Sequence, residues 1–399
     1  MIQQRLKRAV IAAAFGGLCA FTMLPSAASA ADSLRPDVAK PLNAAQDLYR
    51  AHKYRDALGK IAMAAAVPNK TPYENYMIEE MRGAAAVAAG DSGTAIQAYE
   101  TLLGSGRLSG EEEQRTTAAL AGIYFQQKNY PQAIKVAQRY LKAGGGDPDM
   151  RTLLTQSYYL SNDCGQVVNQ LKASVDAQTR AGRVPDEAQL QMLGTCAQRV
   201  KDGAAYRDSL EKLVAYHPNP AYWAQLFQAI RAKPGYLSSL DVDMYRLRRA
   251  TGTLATADDY MEMTQLSIVA GTPAEGKQVI DQGFASGVLG RDAGADREKR
   301  LQALAAKRAQ APVDSSNPVA PLDAGMNQVF AGQAKPGLAA MEAAIAKGGL
   351  DHPDAAQLRL GEAYYVAGQK ARAVQIFKGV KGTDGSADLA RLWVMVASK

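Results

Sequence analysis

The strongest constraint in this sequence is a pattern that returns about every three dozen residues. Each copy places a marked residue, most often alanine or glycine, twelve positions before a second one. The first members of these pairs are Ala45, Gly83, Ala121, Thr155 and Gly194. The second members are Ala57, Ala95, Ala133, Val167 and Tyr206, which lie 38, 38, 34 and 39 residues apart. Self-similarity at this period indicates a repeat architecture, in which each copy is one supersecondary unit.

Each copy is predicted to form two helices joined by a short turn. Apolar residues recur at helical spacing, and polar or glycine-rich breaks separate the stretches, as at 89–93, 128–131 and 368–370. Pro131 is predicted to stand in the first turn of a second helix, where its missing N–H is tolerated. One pair of helices buries too little apolar surface to be stable alone, so each pair is predicted to pack on the next.

Two copies carry the pattern in its fullest form. Their matching residues are Leu120, Ala121, Tyr124, Leu360, Gly361, Tyr364, Ala373 and Phe377. They resemble the tetratricopeptide repeat, and the resemblance extends over the first six or so units and the last two. It implies an all-α fold, a right-handed superhelical solenoid of helical hairpins. The stretches 276–284 and 347–353 also resemble uncharacterised exported tetratricopeptide proteins of proteobacteria, which implies a periplasmic setting and no particular activity.

The first 30 residues have the layout of a secretory signal peptide. Arg5, Lys7 and Arg8 form a positive head, residues 10–24 form an uncharged apolar run, and small residues occupy 28–30. The run is shorter than the roughly 20 residues that a membrane-spanning helix needs. We therefore expect cleavage after residue 30 and a periplasmic mature chain without a membrane-spanning segment.

Charge argues against nucleic acid as a partner. The whole chain has a formal net charge of +7, of which the predicted signal peptide contributes three cations and no acid, so the mature chain carries +4. No run of five or more Lys or Arg residues occurs. A nucleic-acid-binding chain is expected to concentrate more positive charge than this.

Two cysteines remain after the predicted cleavage, Cys164 and Cys196. Their separation of 32 residues is close to one repeat, so equivalent edges of adjacent repeats would bring them together. In an oxidising compartment such a pair favours a disulfide. The alternative is two free cysteines that pack as small apolar side chains.

The strength of the pattern divides the chain into segments. Residues 31–218 are predicted to form an N-terminal array, and residues 219–310 to form degenerate helical repeats. Residues 311–321 contain three prolines and Ser-Ser-Asn, which is the composition of a linker. Residues 322–399 are predicted to form C-terminal units with a capping helix. We interpret the linker as a hinge, with a long surface loop as the alternative.

Few residues suit catalysis or metal binding. The histidines His52, His217 and His352 fall in different repeats, which disfavours a metal cluster or a catalytic triad. Residues 271–277 have the spacing of a phosphate-binding loop, but Gln278 stands where a Ser or Thr hydroxyl must hold magnesium. This stretch is predicted to be a turn between paired helices, and we expect no catalytic residue, metal or cofactor.

Two further patterns have simple structural interpretations. Ser209 and Lys212 have the spacing of a serine–lysine pair but lack the motifs that accompany one, so they are predicted to lie on a solvated helix face. The acids at 111–113 follow Ser109-Gly110. They are predicted to occupy the first turn of a helix, where the helix dipole stabilises them.

Aromatic residues recur directly after the packing residue of a first helix, at Tyr49, Phe125, Tyr159 and Tyr365. In the tetratricopeptide proteins that this chain resembles, that position points toward the concave groove. Polar residues predicted on the same stripe are Gln46, Arg50, Arg115, Gln126, Gln156 and Glu362. Aromatic anchors with adaptable polar groups are typical of peptide-binding surfaces. The alternative is that the rings only pack between helices.

These observations favour a periplasmic scaffold that binds a protein or peptide of a cell-envelope assembly in its groove and is not an enzyme. A first alternative is a helical solenoid that binds glycan or cell wall through the same tyrosines. A second alternative is an enzyme with an unfamiliar site within 219–309, around Trp223, Tyr236, Asp241 and Asp243.

Overall fold

The computed structural model describes residues 33–291, 293–311 and 320–398. The predicted signal peptide and most of the predicted linker lie outside these residues. Within them the chain forms twenty α-helices, one short 3-10 helix and no strand. The prediction of an all-α fold is therefore confirmed.

The chain divides into two compact units, unit 1 up to Ala177 and unit 2 from Gln178. The helices that begin in unit 1 are α1 Pro36–Arg50, α2 Tyr54–Ala65, α3 Pro72–Ala89, α4 Ser92–Gly104, α5 Gly110–Gln126, α6 Tyr130–Lys142, α7 Pro148–Leu160 and α8 Cys164–Arg180. Those of unit 2 are α9 Glu187–Arg199, α10 Gly203–Tyr216, α11 Pro220–Arg231, a 3-10 helix Ser238–Leu240, α12 Asp241–Ala250, α13 Ala257–Val269, α14 Pro273–Ala285, α15 Ala295–Gln310, α16 Ala320–Phe330, α17 Ala334–Lys347, α18 Pro353–Val366, α19 Lys370–Gly379 and α20 Ser386–Ala397.

The repeat is visible in the backbone as a left-handed residue between the two helices of each hairpin. Eight such turn residues occur in the described ranges, at His52, Gly90, Lys128, Asn162, Lys201, Gly271, Gly332 and Gly368, all with φ between 59° and 83°. They join α1–α2, α3–α4, α5–α6, α7–α8, α9–α10, α13–α14, α16–α17 and α18–α19. A single left-handed residue stops the first helix and redirects the chain into the second.

Side-chain caps start many of these helices. Directly after the left-handed residue, Asp91, Asn129 and Asp202 each accept a hydrogen bond from a backbone N–H in the first turn of the second helix. Among the described first helices, α3, α5 and α13 use a reciprocal cap; in α5 the Ser109 hydroxyl accepts from the N–H of Glu112, whose carboxylate accepts from the N–H of Ser109. The capping role predicted for the acids at 111–113 is thus confirmed for Glu112, since these bonds satisfy N–H groups left open at a helix start.

Small residues let the helices of a hairpin approach closely. Ala57, Ala95, Ala133 and Val167 are fully buried, as the twelve-residue pattern predicted. A Cβ added to Gly83 would come within 2.4 Å of the Tyr99 ring, and one added to Gly361 within 2.4 Å of the Phe377 ring. In these two hairpins, α3–α4 and α18–α19, a large side chain of the second helix therefore packs over a glycine of the first.

Successive hairpins are joined by a hydrogen bond that recurs at one repeat position. The Tyr124 hydroxyl donates to Glu100 (2.5 Å), and the Tyr364 hydroxyl donates to Glu342 (2.6 Å). At the same position the Tyr158 hydroxyl accepts from Gln138 (2.6 Å). In each case the tyrosine lies four residues before the left-handed residue of its own hairpin and contacts the preceding hairpin. The repeat therefore places polar contacts as well as apolar ones.

In unit 2 the helices on both sides of the predicted linker pack together. α14 contacts α16, and α12 contacts α20. The Leu237 N–H donates to the Asp384 carbonyl (2.9 Å), and Lys233 pairs with Asp388 (2.7 Å). The segment boundaries predicted from the sequence stay predictions, whereas these contacts place described helices from both sides of the predicted linker in one compact unit. Searched over the described residues, the helices include none that is long and apolar enough to cross a membrane.

Candidate partner-binding surface

The predicted groove residues of unit 1 occupy one repeat position. Tyr49, Phe125 and Tyr159 each lie three residues before the left-handed turn residue of their hairpin, and Val87 holds this place in α3. All four side chains are half-buried. We call Tyr49, Val87, Phe125 and Tyr159 the unit 1 stripe. Each stripe side chain is held by its own hairpin and keeps part of its surface open.

Neighbouring rings hold two members of the stripe in place. The Tyr49 ring packs edge-on against Tyr54 (centroids 5.3 Å apart), and Phe125 packs edge-on against Tyr130 (5.8 Å). Tyr54 and Tyr130 both lie two residues after the left-handed residue, so the same aromatic pair is built twice. Burial and the neighbouring Tyr54 raise the pKa of the Tyr49 hydroxyl. Edge-on pairs of this kind contribute beyond simple burial, which keeps the rings in a fixed orientation.

Three of the predicted polar residues are exposed. Arg50 is 66% exposed and lies 4.0 Å from Asp47, and Arg115 is 57% exposed and lies 3.5 Å from Glu111. Gln126, next to Phe125, is also exposed. Loose pairs between exposed charges contribute little to stability. These side chains are therefore free to exchange their present contacts for those of a partner.

Two residues of the predicted polar set are buried, which corrects their prediction as groove residues. Gln156 is 4% exposed and Glu362 is 1% exposed, so neither side chain offers surface to a partner in this structure. The amide oxygen of Gln156 has no hydrogen-bond partner among the described residues. Glu362 accepts instead from Arg246 and from the indole N–H of Trp393. Both residues lie six positions before a turn residue, where packing of the next helices covers them.

Glycine at the same repeat position leaves a recess in α5. Gly122 lies six residues before Lys128 and is buried. A Cβ added there would meet no neighbouring atom within 4 Å. In the sequence, this recess is indicated by a glycine in α5 at the repeat position that Gln156 occupies in α7.

The sequence did not reveal an acidic residue beside the stripe. Burial raises the pKa of Glu80, the Glu112 carboxylate raises it further, and Arg115 opposes both. Burial, with Tyr49 and Glu80 nearby, raises the pKa of Tyr99 to about 12. These effects connect α1, α3, α4 and α5 in one electrostatic neighbourhood. The only sequence signal for Glu80 is its place on α3, where it lies one helical turn before the packing residue Gly83.

Tyr365 occupies the stripe position in unit 2, but its surroundings differ. Its ring packs against Trp393 of α20 (centroids 4.9 Å apart), and Lys370 lies over the ring at 5.9 Å. The side chain is half-buried. Tyr365 therefore contacts the last helix of its own unit, unlike the three aromatic members of the unit 1 stripe.

The motifs with a possible catalytic interpretation take structural roles. Ser209 is fully buried and donates to the Tyr206 carbonyl, while Lys212 pairs with Asp208. Ser209 is thus not on the solvated face that we predicted, because it packs beneath Gly194. Residues 271–277 form the predicted turn, with α14 beginning at Pro273.

The residues of the predicted alternative enzyme site are held by packing and ion pairs. Tyr236 donates to Asp241 (3.0 Å), which also pairs with Arg231 (3.0 Å). Trp223 stacks on Phe227, and Asp243 is buried against arginines. Across the described ranges no three His, Cys, Asp or Glu residues are grouped as a metal site.

Cys164 and Cys196 are both disulfide-bonded in the structure. The alternative of two free cysteines is therefore excluded. That the two residues bond to each other stays a prediction.

Comparison with known proteins identifies the repeat. A family model of the tetratricopeptide repeat matches residues 80–148 and 322–388. These two stretches match the tetratricopeptide repeat. The first match extends from α3 to the start of α7 and so includes Phe125 of the stripe, and the second extends from α16 into α20. No curated protein matches the chain.

Several solved structures resemble the chain at low identity. One is the structure of Naa15/Naa10 bound to HypK-THB, with 13% identity, a TM-score of 0.33, and coverage of 88% of this chain and 58% of that chain. Yeast Tom70 has 10% identity and a TM-score of 0.26, with 90% and 95% covered. The tetratricopeptide domain of P58(IPK) has 12% identity and a TM-score of 0.23, with 91% and 97% covered.

Proposed function

We propose that this chain is a protein-binding scaffold and that unit 1 carries its partner-binding surface. The surface comprises the stripe residues Tyr49, Phe125 and Tyr159 with the exposed Arg50, Arg115 and Gln126. The observation that carries the proposal is repetition: one partly open ring stands at the same position of three first helices. A tetratricopeptide array that offers the same kind of side chain at each step suits an extended peptide or a helix, because each repeat adds a modest contribution.

We extend the proposal to the setting of the protein. Residues 1–30 have the pattern of a cleaved signal peptide, and the disulfide-bonded state of Cys164 and Cys196 is typical of an oxidising compartment. The resemblance to exported proteobacterial proteins supports the same setting. We therefore propose a periplasmic protein that serves a cell-envelope assembly without catalysing a reaction.

Capture from an envelope extract tests the binding surface. The full mature chain is compared with the double variant Phe125→Ala/Tyr159→Ala. The control is Tyr73→Ala, because Tyr73 is also a half-buried tyrosine of a first helix but lies at the opposite end of α3 from Val87. Each chain is incubated with the extract before and after glycan digestion, and captured proteins are identified by mass spectrometry. Circular dichroism measures the helix content of each variant.

The proposal predicts that the wild type and the control capture the same protein, that the double variant loses it at unchanged helix content, and that glycan digestion has no effect. Equal capture by the double variant contradicts the proposed surface. Loss of helix content in the double variant supports the packing role of the rings instead. Loss of capture after glycan digestion supports the glycan-binding alternative.

A further inference from the structure

Unit 2 contains a buried group of charged side chains that no sequence pattern revealed. It comprises Asp243 and Arg246 of α12, Glu275 of α14, and Arg359 and Glu362 of α18, and we call it the Arg246 cluster. Arg246 is 5% exposed, and the three acids are at most 1% exposed. The cluster connects helices on both sides of the predicted linker.

Arg246 lies at the centre of the cluster. Its Nε and Nη2 donate to the two oxygens of Glu275 (2.8–3.1 Å), and Nη2 also donates to the Thr272 hydroxyl (3.2 Å). Its Nη1 donates to Asp243 (2.7 Å) and to Glu362 (3.2 Å). One guanidinium therefore contacts three carboxyl groups from three helices.

The remaining contacts complete the surroundings of Glu362 and Asp243. Trp393 of α20 donates its indole N–H to the second oxygen of Glu362 (2.9 Å). Arg359 donates to both oxygens of Asp243 (3.3 Å) and to the Ser239 carbonyl (3.0 Å). Two carboxyl oxygens, one from Asp243 and one from Glu362, thus lie around the same nitrogen of Arg246.

The charges in the cluster do not balance if every acid is ionised. Three carboxylates face two guanidinium groups, which leaves one buried negative charge. An uncompensated buried charge is costly, and the usual response is that one group becomes neutral. Glu362 is the acid of the cluster with the weakest compensation, because its contact to Arg246 is the longest of the three and Arg359 forms its ion pair with Asp243.

The acids around Glu362 raise its pKa, and the cations of the neighbouring helices oppose them only in part. Burial and the negative charges of Asp243 and Glu275 raise the pKa of Glu362 well above its ordinary value, and Arg246 opposes them incompletely. Asp323 of α16 adds a fourth acid whose pKa is also raised by burial. Arg249 of α12 interacts electrostatically with Glu275. Glu342 of α17 and Arg372 of α19 are engaged with Tyr364.

We propose that Glu362 carries a proton that it shares with Asp243, and that this proton fastens the C-terminal repeats of unit 2 to α12. The protonated carboxyl donates to Asp243 while its other oxygen accepts from Trp393. Loss of the proton places two carboxylates against each other between α12 and α18. Rising pH therefore loosens the contact of α18 and α20 with the central helices, which makes the packing of the C-terminal repeats responsive to pH.

The direction of the pH effect on stability depends on whether the folded or the unfolded chain binds the proton more tightly. Because the folded state raises the pKa of Glu362, it retains a proton that the unfolded chain has already released above about pH 4.5. Stability from this group is complete below that pH and falls as pH rises toward the folded pKa. For one proton the ratio of folded to unfolded protein falls by up to about tenfold per pH unit in this window.

Variants of Glu362 distinguish a protonated from an ionised side chain. Glu362→Gln is a neutral isostere whose amide donates to Asp243 and accepts from Trp393, whereas Glu362→Ala removes both bonds. Asp351→Asn is the matched control, since Asp351 is an exposed acid just before α18. Urea unfolding of the full chain is followed by tryptophan fluorescence between pH 5 and 9, because both tryptophans, Trp223 and Trp393, lie in unit 2.

We expect Glu362→Gln to have a folded-to-unfolded ratio close to that of the wild type near pH 5, a higher ratio at pH 7, and a smaller decline with pH. We expect Glu362→Ala to lower the ratio about tenfold or more, since it leaves buried donors without partners. The control should follow the wild type across the range. The proposal is overturned if Glu362→Gln is as unstable as Glu362→Ala at pH 7, or if its pH dependence equals that of the wild type.

Discussion

A buried glutamate stands on a first helix in each unit, and the two have opposite acid–base behaviour. Glu74 of α3 faces donors only: Arg35 binds both of its oxygens (2.8 and 2.9 Å), and the N–H groups of Arg35 and Thr71 complete its shell. This arrangement lowers the pKa of Glu74 to about 2. Glu362 of α18 faces two other acids, and its pKa is raised. Equal burial therefore produces opposite shifts, because the balance of donors and acids decides which form is favoured.

The same two units differ at the stripe position. Tyr159 of unit 1 is half-buried with part of its ring open, whereas Tyr365 of unit 2 packs against Trp393. In unit 2 the final helix α20 contacts both α18 and α12. We therefore propose that this repeat position binds a partner in unit 1, whereas in unit 2 it packs against α20.

The largest expected effect is on unit 2 from Arg246→Met. Three buried acids would lose their shared cation, and breaking a buried charge network costs about 3–5 kcal/mol. Urea unfolding measures the change, followed by the fluorescence of the two tryptophans for unit 2 and by hydrogen exchange of α3 amides for unit 1. Arg35→Met, which removes the cation of the unit 1 pair, should cost less because the Arg35 side chain is 44% exposed. Equal losses in the two variants would contradict the contrast between the units.

Acid should weaken unit 1 through Glu74. Because its folded pKa is lowered to about 2, the stability it contributes is present above about pH 4.5 and is lost as pH falls from there toward 2. Hydrogen exchange of α3 amides, corrected for intrinsic rates, should report this loss in the wild type. Glu74→Gln should be weaker at neutral pH and should lose less on acidification. An unchanged acid response in that variant would assign the effect to other groups.

Two glycines of unit 1 should respond to the same substitution with opposite signs. Gly83→Ala forces a methyl group against the Tyr99 ring, so we expect a loss of about 1–3 kcal/mol. Gly122→Ala meets open space, so we expect a gain of about 0.5–1 kcal/mol from helix propensity. Chemical unfolding followed by far-ultraviolet circular dichroism measures both. Destabilisation by Gly122→Ala would show that the recess in α5 is filled.

The smallest effects should come from the repeated tyrosine contacts. Tyr124→Phe and Tyr364→Phe each remove a hydroxyl that donates to a glutamate of the preceding hairpin, and each should cost about 0.5–1.5 kcal/mol. The measurement is again chemical unfolding. Similar losses in unit 1 and unit 2 would show that the repeat interface is equivalent in both. No loss in either variant would mean that water replaces the bond.

The sequence predicted the periodic part of the fold and missed what depends on distant residues. The fully buried Ala57 and Ala95 were marked by the repeat itself. The left-handed conformation of Lys128 and Lys201 was not predictable, because lysine does not favour it. The Arg246 cluster joins residues 29 and 116 positions apart, which no local pattern connects.

For the candidate site, sequence reasoning identified the repeat position but not the burial of every member. Phe125 and Tyr159 are partly open as expected, whereas Gln156 and Glu362 are covered by neighbouring helices. Helical offset indicates the face on which a residue lies. It does not indicate whether another helix packs on that face, which is decided by tertiary contacts.

Site-specific photocrosslinking tests the proposed surface most directly. A photoreactive residue replaces Gln126, exposed beside the stripe, and in a matched chain it replaces Lys135, exposed on α6. Both chains are irradiated in envelope extract, and the crosslinked peptides are mapped by mass spectrometry. The account predicts that position 126 crosslinks one protein at a defined segment and that position 135 does not. Crosslinking of the same segment from position 135 alone, or no protein crosslink from position 126, would contradict it.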